Sequence, residues 1–500
     1  MFFVVKRLVK KIIFLFLIFS NSVLFSQTIL NSFPLNFKKL NGTEEILTAK
    51  NEQTGELFVF AADRENISIL RYNNAFFLKD QYKGPLKDMG DKSLVGYSFS
   101  TDGLPTLYWS TDNYGTIVAI KYFFGNKTSK NLNFVFTSAE QSIITSFQLE
   151  NSFNLLVKDL EEQALILYIF ENGTVKQKIF DFSSFKFQNR NTKFVTFNYV
   201  IQQNPIEKIE TEEYTPLFKS TSKSKLYIFP NRFILTLDHN PKKTQVFDIN
   251  LETEEIKEKS YLQSPVQKPK KISNSFFQDD KLYQTIASDE ELFLDVKDYK
   301  TDETIKSFHI LKNDTIRFKT SPLLIQKEGE KARTLKTTKK FLNSLSNLDI
   351  GLSVFKNKKN TLITLGGTPN MTGQGGFFGT SFAFEDFGFY NNGAPYYSSG
   401  YIHTETVYFE SVWDTNYNVM KQDQLEPLAI DNIYYFMSMN KQVALDNILK
   451  YNDFYILSYY DTASKQFIMR KFKDGFNGDD PFLDQLNMPS SFKKPFQKRP

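Results

Sequence analysis

Residues 361–393 join a β-branched strand to a cluster of glycines, which is how many phosphate-binding loops begin. Gly373 and Gly375 start such a pattern, but Phe378 stands where a dinucleotide-binding loop has its last glycine. No Lys-Ser or Lys-Thr pair follows, and no helical pattern opens after the glycines. We interpret the stretch as a flexible hairpin insertion in which glycine lets the backbone turn between bulky rings. It predicts no nucleotide cofactor.

Metal-binding and nucleophilic chemistry has few candidate residues in this chain. Cysteine is absent, and the three histidines, His239, His309 and His403, lie far apart in the sequence. Metal sites commonly combine clustered histidines with carboxylates, and a serine nucleophile of the hydrolase type sits in a G-x-S-x-G turn. The sequence shows neither pattern. We predict no metal ligands, no catalytic residues and no cofactor.

The most unusual window runs from Asn360 to Met420, where 61 consecutive residues contain no Lys or Arg although the whole chain has 61. The window carries five acidic residues, and residues 377–401 hold ten Phe or Tyr. We assign about half of these rings to packing, because aromatic side chains are usually core. The others are candidates for a binding surface, together with two acidic residues: Phe377, Phe378, Phe389, Tyr390, Tyr396, Tyr397, Glu385 and Asp386.

Several hairpins share one plan, in which an apolar strand ends at or near an aspartate, a polar turn follows, and a second strand begins. The turn aspartates are Asp63, Asp112, Asp159, Asp238, Asp289 and Asp461. Steps of 49, 47 and 51 residues separate three neighbouring pairs. Aspartate suits these positions because its side chain can accept hydrogen bonds from backbone N–H groups two residues on.

A further strand precedes each hairpin, and a repeat of this length carries about four strands. We name them A to D, so that the preceding strand is A and the aspartate lies in the B–C turn. A seventh unit fits here, with strand A near 350–355 and strand B at 361–366. The glycine stretch then replaces the B–C turn, and strand C begins at TETVYFESVW. Repeats of 40 to 50 residues with four strands are typical of propeller blades. The plan resembles that of a secreted bacterial seven-bladed β-propeller. The all-β alternative is a pair of tandem β-sandwiches.

The resemblance implies where the chain closes and where its inserts lie. FPLNFKKL, after the N-terminal segment, could supply the D strand of the last blade. The long inserts 183–222, 312–347 and 366–402 would then share one face, the one formed by B–C and D–A connections. RTLKTTKKFLNSLSNL, with leucine and phenylalanine at helical spacing, predicts a surface helix within one connection.

The two ends of the chain have a different character from the middle. Residues 1–26 have the order of a secretory signal, with four basic residues before a short apolar run. Removing them lowers the net charge from +5 to +1, so the remaining chain has no electrostatic footprint for nucleic acid. Residues 27–484 would form the propeller, without a transmembrane span, and residues 485–500 a disordered basic tail. We expect export to the periplasm, the outer membrane or the medium.

Repeated strands without a catalytic pattern favour a non-enzymatic interaction module of the bacterial envelope, which binds a protein partner through one loop-rich face. The alternative is a carbohydrate-binding or glycoside-cleaving propeller. In that case two carboxylates among Glu385, Asp386, Glu405 and Glu410 would flank the sugar beside stacking rings.

Overall fold

The computed structural model describes residues 28–35, 37, 40, 42–86, 89–111, 114–135, 141–266, 272–327, 332–369, 405–421 and 426–475. The predicted signal segment, the predicted tail, Asp112, and all eight candidate binding residues between Phe377 and Tyr397 lie outside these ranges. The described chain is all-β and consists mainly of four-stranded antiparallel sheets. It divides into two compact units, one drawn from Met1–Lys50, Glu56–Gln81 and Gln424–Pro500, the other from Asn51–Gly55 and Tyr82–Asp423.

The first unit contains the whole of one sheet and most of another, whose last strand continues past Gln81 into the second unit. The first sheet consists of β2 (Glu45–Lys50), β3 (Leu57–Ala62), β4 (Asn66–Tyr72) and β5 (Leu78–Pro85) in that order. The seventh sheet has β30 (Val443–Tyr451), β31 (Phe454–Asp461), β32 (Gln466–Phe472) and β1 (Thr28–Pro34). The N-terminal strand thus supplies the missing D strand as predicted, although the pairing strand is Thr28–Pro34, which shares only Phe33 and Pro34 with FPLNFKKL.

A helix that the sequence analysis missed, α4 (Ala429–Met439), precedes β30. Ile433 and Phe436 are buried, and the Phe436 ring lies 5.7 Å from that of Phe472. The apolar residues of α4 are too evenly mixed with tyrosine and methionine to show a clear helical stripe in the sequence. Packing against β32 therefore determines that this segment is helical.

The second unit begins with two regular sheets. The second sheet has β6 (Ser93–Phe99), β7 (Pro105–Ser110), β8 (Thr116–Phe123) and β9 (Thr128–Val135). The third has β10 (Gln141–Leu149), β11 (Ser152–Asp159), β12 (Ala164–Glu171) and β13 (Thr174–Asp181). The B strand β11 is buried along most of its length, whereas the D strand β13 is mostly exposed. The near-continuous apolar sequence of B strands follows from burial on both faces.

The next two sheets contain the site described below. The fourth has β16 (Ile206–Ile209), β17 (Ser224–Ile228), β18 (Arg232–Leu237), β19 (Lys243–Asn250) and β20 (Ile256–Leu262). The fifth has β21 (Ile272–Gln278), β22 (Lys281–Ala287), β23 (Glu291–Asp298) and β24 (Thr304–Leu311). The fourth sheet departs from the predicted four strands, because β16 pairs in parallel with the A strand β17 and covers its edge.

The sixth sheet also has five strands, in the order β26 (Arg333–Thr334), β25 (Leu324–Lys327), β29 (Glu405–Trp413), β28 (Thr361–Thr368) and β27 (Asp349–Lys356). The predicted A, B and C strands are β27, β28 and β29. The D position is taken by β25, which comes earlier in the chain and pairs antiparallel with β29. Part of the 312–347 insert is therefore a sheet strand and not a loop.

The predicted helix of that insert is α3 (Thr338–Leu345), capped by the Thr337 side chain. Phe341, Leu342 and Leu345 are buried, and the Phe341 ring lies 5.5 Å from that of Phe409. The insert 183–222 is also ordered, and it contains β14 (Phe187–Gln188), β15 (Phe194–Val195), α1 (Phe197–Gln203) and α2 (Leu217–Ser220). These inserts bury apolar side chains of their own, which loops on a surface need not do.

Candidate functional site: a buried lysine–carboxylate network

The glycines at the start of the 366–402 insert have a steric role. Gly366 and Gly367 belong to β28, which extends to Thr368, so the connection to β29 spans 369–404. A Cβ on Gly366 would lie 2.1 Å from the carbonyl oxygen of Val407. Glycine therefore permits close approach of β29 at this position, which is a structural demand and not a phosphate-binding one.

Of the four carboxylates that are candidates for glycan chemistry, Glu405 and Glu410 lie within the described residues. Glu405 and Glu410 lie five residues apart on β29, and the register of the strand is regular between Glu405 and Trp413. Since side chains alternate between faces along a strand, these two carboxylates point to opposite faces of the sheet. Glu410 is fully buried, and Glu405 lies 3.9 Å from Lys327 Nζ. This pair cannot flank one sugar.

Three of the turn aspartates have the local role expected of them. Oδ1 of Asp63, Asp159 and Asp461 accepts hydrogen bonds from the backbone N–H groups two and three residues on, at 2.7–3.0 Å. Each residue lies in the B–C turn of its sheet. At the fifth sheet the side chain of Ser288 accepts these hydrogen bonds, and Asp289 is its neighbour in the turn.

Asp238 differs from the other turn aspartates, because its carboxylate points into the protein. Oδ1 accepts from the Thr244 hydroxyl at 2.7 Å, and Oδ2 accepts from the Ser275 backbone N–H at 3.0 Å and its hydroxyl at 2.7 Å. Asn240 caps the turn instead. Lys225 Nζ lies 3.6 Å from Oδ2, and both side chains are completely buried.

The network continues across three sheets through Asn274. Its Oδ1 accepts from Lys225 Nζ at 2.5 Å and from the Ser275 backbone N–H at 2.7 Å. Its Nδ2 lies 3.1 Å, 3.0 Å and 2.6 Å from three backbone carbonyl oxygens, those of Ser220, Thr221 and Ile350. Asn274 thus links β21 to the end of α2 and to β27.

The segment that supplies two of these carbonyls packs between edge strands of two sheets. The Ser353 hydroxyl on β27 donates to the Thr215 carbonyl oxygen at 2.5 Å. A Cβ on Gly351 would lie 2.8 Å from Ser220 Oγ and 2.9 Å from Leu217 Cδ1, so a larger residue here would require these side chains of α2 to shift. Beneath this close packing, the side chains of Lys225 and Asn274 are fully buried.

Burial sets the protonation of the basic groups. Desolvation lowers the pKa of Lys225 to about 8, although the Asp238 carboxylate opposes that change. Desolvation also lowers the pKa of Lys223, whose Nζ donates to the Ser273 carbonyl oxygen at 2.6 Å. A buried lysine with a lowered pKa carries a neutral, nucleophilic amine part of the time near neutral pH.

The histidines fall into different surroundings. His239, next to Asp238, is buried against the Phe187 ring, and desolvation lowers its pKa to about 4. His309 Nε2 lies 2.9 Å from Glu291 Oε2, and its ring stacks on Phe293 at 4.0 Å. His403 lies outside the described residues. Within the described ranges, no three His, Asp or Glu side chains converge as a metal site would require.

No motif in the sequence singles out Lys225 and Asn274. The available signal is position: each stands in an A strand, KLYIF or SNSFF, whose other residues are mostly apolar or small. A lysine in a strand expected to be buried requires a partner, but the partner is 49 residues away along the chain.

In the described residues, no helix is both long and apolar enough to cross a membrane.

No model of a protein family matches the chain, and no curated protein sequence matches it. The WD40 domain of SCAP from fission yeast aligns at 11% identity over 89% of this chain and 98% of that domain, with a TM-score of 0.29. The Dos1 propeller aligns at 11% identity over 62% of this chain and 64% of its own length, with a TM-score of 0.22.

Prolyl oligopeptidase B from Galerina marginata aligns at 9% identity over 87% of this chain, with a TM-score of 0.32. The alignment spans 52% of that enzyme, about half of its length. At TM-scores this low, these likenesses carry no argument about fold or function.

Proposed function

We propose that the seven sheets are the blades of one β-propeller. Support comes from their order: each sheet takes its A, B and C strands from consecutive stretches of chain, and the last sheet is completed by the first described strand. Building one blade from the first and the last described strands is a way to close a ring, which leaves only short, protected sheet edges. Tandem β-sandwiches would instead pair strands into a few larger sheets with crossovers.

We further propose that the propeller is a non-enzymatic binding module and that the protein is exported to the bacterial envelope. The observation that carries this proposal is the length of one turn. Six sheets join their B and C strands through three to five residues, whereas the sixth sheet uses the 36 residues between Thr368 and Glu405. Long connections in compact domains are uncommon unless they have a function or are disordered.

The composition of this connection indicates the partner. It contains the ten clustered aromatic residues and lacks Lys and Arg. Rings provide large contact areas at low entropic cost, and a negative surface attracts a positive one. The proposed partner is therefore a protein with a basic, partly apolar surface. A glycan is the second candidate, since aromatic rings also stack on sugars, although Glu405 and Glu410 lie on opposite faces.

The test uses the chain without residues 1–26, immobilised and exposed to envelope extract. Replacing residues 370–399 by Asn-Gly should abolish retention of a defined protein and leave the melting temperature within a few degrees. A finer variant, Phe377→Ser with Tyr390→Ser, should weaken retention. The matched control is Phe77→Ser, which removes an exposed ring from the turn before β5 and should change nothing.

The behaviour of the trimmed variant distinguishes the proposed protein-binding surface from the alternatives. Full retention by the trimmed variant would contradict the proposed surface. Retention of polysaccharide by the intact chain, lost on trimming, would favour the glycan candidate. Collapse of the trimmed variant would show that the aromatic residues are core and not a binding surface.

A further inference from the structure

Lys225, Asn274 and Asp238 lie together in the core and combine three chemical types: an amine, a primary amide and a carboxylate. They come from β17, β21 and the turn after β18, and all three are buried. We propose that Lys225 and Asn274 become joined by an isopeptide bond, which the folded protein forms on itself with Asp238 as the proton-transfer group. This cross-link would connect the A strands of the fourth and fifth sheets.

The nucleophile is in place. Lys225 Nζ lies 2.5 Å from Asn274 Oδ1, and since Oδ1 is bonded to Cγ, the amine lies within about 3.7 Å of the carbon that it would attack. Asp238 Oδ2 lies 3.6 Å from Nζ and can take a proton from the ammonium group. Burial, which lowers the pKa of Lys225 to about 8, favours the neutral amine needed for attack. The packed surroundings hold the reacting groups together.

The amide is polarised at both of its polar atoms. The Ser275 backbone N–H donates to Oδ1 at 2.7 Å, which would stabilise negative charge on this oxygen as the tetrahedral intermediate forms. Nδ2 faces three carbonyl oxygens at 2.6–3.1 Å. A neutral amide has only two N–H groups to offer them, whereas a protonated leaving amine has three. The carbonyl cradle therefore matches the leaving group better than the starting amide.

The reaction balances without an oxidant or a cofactor. Asp238 accepts one proton from the Lys225 ammonium group, and the neutral amine forms the Nζ–Cγ bond. Asp238 passes its proton to Nδ2 and takes the second proton from Nζ. The Cγ–Nδ2 bond then breaks, and ammonia leaves with the proton held by Asp238 as ammonium ion. The net change converts an ammonium group and a primary amide into a secondary amide and an ammonium ion.

Mass spectrometry of the purified, folded chain tests the proposal. The intact mass should be lower than that of the unmodified chain by one ammonia, about 17 Da. Tryptic digestion should yield one branched product that contains both Lys225 and Asn274. This product distinguishes the cross-link from a succinimide, which loses the same mass within a single peptide. Recovery of separate peptides with free Lys225 and free Asn274 from folded protein would overturn the proposal.

Variants check the assigned roles. Lys225→Arg and Asn274→Ala should each abolish the branched product, and Asp238→Asn should slow its formation at least tenfold. Lys223→Arg, which changes the neighbouring buried lysine, should leave the product in place. Because the wild-type digest alone decides whether the bond exists, a variant that fails to fold does not remove the test. An unchanged yield of the product from Asp238→Asn would show that the carboxylate has no part in the reaction.

Discussion

Phe33 lies opposite Phe467 in the antiparallel register of β1 and β32, so the first described strand completes the sheet built by the last three. Phe467 is fully buried, and Phe33 packs against the same apolar cluster, which includes Ile456 and Met469. The N-terminal strand is thus part of a core and not an appended arm. In a propeller, this contact would hold the ring closed.

Removal of β1 tests that relationship. A chain that begins at residue 36 should lose about 3 kcal/mol of unfolding free energy or more, because it loses a row of backbone hydrogen bonds and exposes β32 as an edge. Urea unfolding of this chain and of one that begins at Thr28 measures the difference. The shorter chain should also self-associate at high concentration in light scattering. Equal midpoints would show that β1 contributes nothing.

Gly366 should tolerate no side chain. In Gly366→Ala the new Cβ would lie 2.1 Å from the Val407 carbonyl oxygen and 2.6 Å from Tyr408 Cβ, so backbone must move. We expect a loss of about 3 kcal/mol in the unfolding free energy. Gly125→Ala is the matched control, since its Cβ would meet nothing within 4 Å, and it should stay within about 0.5 kcal/mol of wild type.

The turn aspartates should divide into two classes. Asp159→Ala removes two hydrogen bonds to exposed backbone N–H groups and should cost about 1 kcal/mol. Asp238→Ala removes the carboxylate partner of the buried Lys225 and should cost about 3 to 5 kcal/mol. Denaturant unfolding of both variants measures the contrast. Similar losses would mean that Asp238 is an ordinary turn residue.

His239 should make the fold sensitive to mild acid. Burial lowers the pKa of His239 from 6.5 to about 4. Between pH 4 and pH 6.5 the imidazole is therefore protonated in the unfolded chain and neutral in the folded chain. The stability from this group is present above pH 6.5 and falls by up to about 3 kcal/mol as the pH drops to 4. His239→Phe should remove this component. Parallel pH profiles of unfolding free energy in wild type and variant would contradict the assignment.

Much of the fold follows from local sequence. Strands such as β3 and β31 are short apolar runs bounded by turn residues, and the Asp63, Asp159 and Asp461 turns depend only on atoms two or three residues away. The A, B and C strands of all seven sheets could therefore be predicted. The D strand of the sixth sheet could not, because β25 precedes its sheet in the chain and its pairing with β29 is a long-range contact.

The sequence by itself determined the all-β class, the repeat and the capping turns, since each of these depends on propensity and on contacts within one hairpin. Only the tertiary structure decided that the Asp238 carboxylate points into the protein, where it lies beside Lys225 and Ser275, and that Lys225 donates to Asn274. Only the tertiary structure, too, shows that the Val407 carbonyl oxygen leaves no room for a side chain at Gly366. The physical reason is burial. A charged or strand-breaking residue is costly inside a sheet unless a distant residue compensates for it, and the identity of that residue depends on which strands the fold brings together.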